Sequence, residues 1–157
     1  MKILHIYTLE GLQYMENLHS LCLDDCNEIK DLELIKSIPN LDRLNLEDMD
    51  LHKLKDLEGL EKLGSLYIFN PKSSTIPTLK NFPSLKVLEI GGMNLKDMSI
   101  VDNLTSLDYL NVYFCKIEDL KGIEKLKNLE KLRFYGCDIK NIECLDKLTW
   151  IKEITID

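Results

Sequence analysis

Apolar residues recur along this chain with a fixed spacing. In the stretch Leu107 to Asn128 they fall at Leu107, Leu110, Val112, Ile117, Leu120, Ile123 and Leu126, with Cys115 between. Counting Leu107 as position 1, these are positions 1, 4, 6, 11, 14, 17 and 20, and Cys115 is position 9. The spacing returns 22 residues later with Leu129, Leu132, Phe134, Cys137, Ile139, Ile142, Leu145 and Leu148. Positions 3, 5 and 7 are mostly polar or aromatic. Alternation over positions 3–7 predicts a half-buried strand. Apolar residues every third position after it suit a tight 3-10 or extended return rather than a long helix.

Taken from the start, residues 1–17 resemble a partial repeat, with Ile6, Leu9, Leu12 and Met15 at positions 11, 14, 17 and 20. A short strand over Ile3–Ile6 is the alternative register, and the pattern does not choose between them. Repeats follow at 18–40, 41–62, 63–84, 85–106, 107–128 and 129–150, with a terminal strand in 151–157. The first has one extra residue between Cys26 and Ile29. The third departs after Ile68, with Pro71 at position 9 and Ser73 in an apolar slot, so its turn is expected to be the least regular. One such turn cannot bury its own leucines, but a stack can, each turn covering its neighbours. The expected fold is a single α/β solenoid over residues 1–157, with about seven parallel strands spanning roughly 30 Å.

The pattern L-x-x-L-x-L-x-x-C-x-I-x-x-L-x-x-I-x-x-L resembles the leucine-rich repeat, and its 22-residue period resembles the internalin-type and phosphatase-regulator-type forms. The resemblance runs from about residue 6 to 156. It implies a horseshoe whose sheet lines the concave side and binds partners. Such repeats usually carry Asn at position 9, where its amide ties turns together. Cys26, Met49, Pro71, Met93, Cys115 and Cys137 stand there instead, which removes the usual side-chain ladder without altering the fold. The helical cap, immunoglobulin-like domain and wall anchor of internalins have no counterpart in the sequence.

The strand positions that face solvent form the candidate site. Aromatic residues gather in the third, fifth and sixth repeats, and the expected partner-binding set is Tyr67, Phe69, Glu89, Gly91, Tyr109, Asn111, Tyr113, Arg133 and Tyr135. Tyr and Arg are enriched in binding hot spots. Gly91 interrupts the column at position 7 between Phe69 and Tyr113, two strand spacings or about 9.6 Å apart. The expectation is an open notch with aromatic walls that a partner side chain fills. The competing reading is that these aromatics are only good strand formers making cross-strand pairs. Asp24, Asp25, Glu47 and Asp48 at one end, and Lys131 and Arg133 at the other, would orient a partner or form a solvated rim.

Composition narrows the function. The net charge of −7 weighs against nucleic acid or an anionic membrane as the partner. Apolar runs are too short for a membrane span, and the N-terminus lacks the features of a signal peptide. Five cysteines, at 22, 26, 115, 137 and 144, read as free thiols in a reducing, cytoplasmic setting. Cys26, Cys115 and Cys137 are expected in the interior as small hydrophobes. Cys22 is expected on the concave face, with only His19 nearby as a base, which is weak support for catalysis. No phosphate loop, nucleophile elbow or zinc-binding pair is present, and His5, His19 and His52 share no ligand spacing with the cysteines. Asn103-Leu-Thr105 is read as a chance glycosylation match.

No cofactor and no metal are expected. The functional expectation is a non-catalytic module that binds a partner protein through the concave face. The alternatives are a structural, self-assembling module that pairs through uncapped ends, giving a homodimer, or a fragment of a larger protein.

Overall fold

The computed structural model describes residues 6–72 and 77–157. Seven strands form one parallel sheet: β1 (Ser20–Asp24), β2 (Arg43–Glu47), β3 (Ser65–Phe69), β4 (Val87–Gly91), β6 (Tyr109–Tyr113), β8 (Lys131–Tyr135) and β10 (Glu153–Ile156). They lie side by side in chain order. Each occupies positions 3–7 of its repeat, and the register pairs equivalent positions, as in Leu44 with Leu66 and Leu88 with Leu110. The leucines and isoleucines at positions 4 and 6 of β2 to β8 are buried, because the sheet's inner face has only the returns to pack against. The inward residues of all the repeats join in one core.

The returns differ along the stack. The first two full turns use 3-10 segments of six and seven residues, Leu32–Ser37 and Leu51–Leu57. The later ones are shorter, Ser99–Val101, Ile123–Lys125 and Glu143–Lys147. The third turn has no 3-10 segment among its described residues, and Leu79 and Phe82 fill its share of the core. Ser73 lies outside the described residues. Positions 10 and 11 of the later turns form three two-residue strands, β5 (Asn94–Leu95), β7 (Lys116–Ile117) and β9 (Asp138–Ile139), which pair as a second parallel sheet.

Near the start, Leu12–Tyr14 is a 3-10 segment, with Leu9 buried and Leu12 packed on the core. Ile6 and Met15 are exposed, so only part of the expected partial repeat is inside. Ile3 and His5 lie outside the described residues.

Between each sheet strand and its return the chain turns through position 8 with positive φ. The residues there are Asp25, Asp48, Asn70, Gly92, Phe114 and Gly136. Each N–H donates to the position-7 carbonyl of the next turn, as Phe114 does to Tyr135 at 2.9 Å, so the ladder continues through the corner. The position-9 thiols bond carbonyls at these corners, and of them Cys137 reaches across to the preceding turn. Cys26 and Cys115 donate to the carbonyls of Asp24 and Tyr113 at 3.1 and 3.3 Å, and Cys137 reaches Val112 O at 3.3 Å. Asn27, the extra residue of the first repeat, ties two turns together. Its amide donates to Asp48 O at 2.8 Å and accepts from Asp50 N at 2.7 Å.

Among the described residues, no helix is long and apolar enough to cross a membrane.

Candidate functional site

The sheet's outer face carries all nine expected site residues, but it is not a row of free side chains. Tyr67, Phe69, Glu89, Tyr109, Tyr113 and Arg133 are half-buried against one another, and Tyr135 is exposed. Asn111 is buried at 5% exposure, contrary to its expected place on the surface. The reason lies in its neighbours on the same strand. Its amide donates to Tyr109 Oη at 2.9 Å and also to Tyr113 Oη, so two phenols roof it over. Its Oδ1 has no partner.

These contacts belong to a longer polar chain across four strands. The Tyr113 hydroxyl bonds Glu89 on β4, and burial together with that carboxylate's charge pushes the phenol's pKa up. Arg133 on β8 lies over the Tyr109 ring, with its Cζ 5.7 Å from the centroid. Arg133 donates from Nη2 and Nε to Glu153 Oε1 at 2.5 and 3.1 Å. That pairing holds the Glu153 carboxyl below its ordinary pKa. Lys131 approaches the same carboxylate at 3.6 Å. Both cations of the expected basic spot face Glu153, a residue outside the expected site, which offsets one of their two charges. The run from Glu89 through Tyr113, Asn111, Tyr109 and Arg133 to Glu153 is a preformed hydrogen-bonded surface, whose side chains are already ordered before anything binds.

The expected notch at Gly91 is narrower than two strand spacings. Gly91 sits between Phe69 and Tyr113 in register, but the two rings approach to 6.0 Å between centroids instead of standing two strand spacings apart. Phe69 leans over the glycine, and a Cβ there would lie 2.7 Å from Phe69 Cδ1. Covering a strand glycine with a neighbouring ring hides backbone that the missing side chain exposes. A tryptophan at 91 would displace the Phe69 ring rather than plug a hole.

The aromatic cluster instead extends to a residue that the strand columns omit. Phe114, at the corner after β6, is 66% exposed and meets Tyr135 edge-on, with centroids 5.5 Å apart. Tyr135 in turn meets Tyr113 at 6.3 Å. Position 8 holds a bulky residue only here, which was the signal available in the sequence.

The acidic end is mixed. Asp25 pairs with Lys72 at 2.5 Å. Cys22 is exposed as expected, and Cys115 is buried, which pushes its thiol up to about 11. Cys26 and Cys137 are half-buried rather than fully inside, because their sulfurs sit at the corner beside the carbonyls they bond.

No family model matches the chain. Two solved structures from Listeria monocytogenes share its architecture. An internalin C2 aligns over 98% of this chain and 77% of its own, at TM-score 0.57 and 23% identity. An internalin, InlF, aligns over 97% of this chain and 45% of its own, at TM-score 0.69 and 21% identity. The chain has the leucine-rich-repeat fold. A protein of Plasmodium falciparum described as acidic leucine-rich nuclear phosphoprotein 32-related is 34% identical over 92 residues, which is 54% of this chain. This leucine-rich-repeat chain spans about a third of that relative's length, 33%.

Proposed function

We propose that this leucine-rich-repeat chain is a non-catalytic module that binds a partner protein through its concave sheet face, using the aromatic surface around Tyr67, Tyr109, Tyr113 and Tyr135. The observation that carries this reading is the ordered network from Glu89 to Glu153 beside clustered aromatics. A surface that is both rich in Tyr and already rigid loses little side-chain freedom on association. Capture from native cell extract tests it, comparing the natural chain with a Tyr67→Ala/Tyr109→Ala/Tyr113→Ala variant. A protein retained only by the natural chain supports the reading. Identical retention by both overturns it, provided circular dichroism shows the variant folded.

A second reading has its own observation. β10 is an edge of the sheet and leaves Ile154 and Ile156 at 43% and 54% exposure. An edge strand with exposed apolar side chains invites another strand, from a second copy or from elsewhere. Light scattering across a concentration series, with Ile154→Lys/Ile156→Lys as comparison, tests pairing between copies.

A further inference from the structure

We propose that the depression beside Phe114 is a socket for a cationic side chain, a lysine or arginine presented by a basic segment of the partner. This rests on the concave-face reading and names the chemistry that one part of that face selects. The depression measures about 320 Å³ and is lined by Phe69, Tyr113 and Phe114, by Glu47 and Glu89, and by Gly91 and Gly92.

Three observations converge on a cation. Aromatic rings attract positive charge, most strongly where water is displaced, and three of the residues that line this space are aromatic. Two carboxylates border it, and among the described residues neither Glu47 nor Glu89 takes part in an ion pair. No lysine or arginine lines it. An apolar side chain would satisfy the rings but strip water from the carboxylates without return, and an anion would be repelled. A long cationic side chain satisfies both, with its methylenes on the rings and its head at the carboxylates.

The backbone adds an independent sign. Phe114 adopts φ 49°, a left-handed conformation that the other five corners give to Asp, Asn or Gly. A phenylalanine held there and 66% exposed contributes little to the core. Strain kept at an exposed aromatic fits a role in contact rather than in folding.

The test is a titration of the nitrogen-15-labelled chain, at about 0.15 M salt, with short capped peptides of alternating Gly–Lys or Gly–Arg, and Gly–Gln as the uncharged control. The expected result is shifted amides around Phe69–Asn70, Gly91–Gly92 and Tyr113–Phe114 with the basic peptides only. Glu47→Gln/Glu89→Gln should weaken this binding about tenfold or more, and Phe114→Asn should do the same. Glu33→Gln/Asp138→Asn, which removes two exposed carboxylates elsewhere, should leave it unchanged. Equal shifts with Gly–Gln overturn the proposal. So does equal weakening by the control pair, which would mean diffuse attraction to a negative chain. If extract capture depends on Tyr67, Tyr109 and Tyr113 while no basic peptide shifts the socket amides, the cation assignment fails and the concave-face reading stands.

Discussion

The ring of Phe114 covers Gly136: a Cβ built on that glycine would lie 2.7 Å from Phe114 Cδ1. Both residues sit at the same corner of successive turns, and both have positive φ, 49° and 60°. The left-handed conformation costs a bulky residue about 1–2 kcal/mol, while Asn tolerates it. Losing one exposed edge-on contact with Tyr135 removes about 0.5 kcal/mol. Phe114→Asn should therefore leave stability unchanged or raise it by up to about 1 kcal/mol, read from the midpoint of urea unfolding. A fall of similar size would make Phe114 a packing residue.

Gly122, just before the 3-10 segment Ile123–Lys125, leaves no room for a side chain. Its φ is 115°, and a Cβ would sit 2.8 Å from both the carbonyl carbon and oxygen of Met98. Backbone cannot swing aside as a side chain can. Gly122→Ala should destabilise the chain by about 2–3 kcal/mol, seen as a lower urea midpoint with unchanged slope.

Asp31 fastens the first turn to the stack. Its Oδ2 accepts from the Thr8 hydroxyl at 2.5 Å and its Oδ1 from Leu9 N–H at 2.9 Å. Those bonds, the hydroxyl's first, hold its pKa below the ordinary carboxylate value. A carboxyl with a depressed pKa in the fold adds stability above its unfolded pKa, near 4, and that contribution disappears as pH falls through the lower folded value. Asp31→Asn should be less stable than the natural chain at pH 7, and the gap should narrow as pH falls below the ordinary carboxylate value. Thermal melts across that range would show it; a gap constant with pH would mean that the charged form is not what matters.

The five thiols should separate by rate. Cys22 is exposed, whereas burial raises the thiol pKa of Cys115 to about 11, and that of Cys144 is raised as well. Thiolate is the reacting species. Alkylation at about pH 8 followed by mass spectrometry should label Cys22 within minutes and Cys115 only after unfolding. Rapid labelling of Cys115 would mean that the fifth full turn opens readily.

The sheet strands were legible to the residue. Positions 4 and 6 must both face inward, positions 3, 5 and 7 outward, and the fixed period admits a single register. The second sheet was not legible, because strands of two residues leave no alternation to read. Neither was the state of the site. Sequence columns place Phe69, Gly91 and Tyr113 on one face, but whether the rings stand apart or lean together depends on rotamers, and here Phe69 leans over the glycine. Asn111 was read as exposed from its column, yet the hydroxyls that cover it belong to Tyr109 and Tyr113, two residues away on the same strand. Reading only the strand columns also passed over Phe114, whose oddity shows only when corner residues are compared with one another.

The paired strands β5, β7 and β9 give the later turns a second ladder of backbone hydrogen bonds beside the main sheet. Among the described residues the first two full turns have no such ladder. Glu89, Tyr109, Tyr113 and Arg133 stand on β4, β6 and β8, each followed by one of these short strands. A partner on that part of the face therefore meets a scaffold fastened along two lines rather than one.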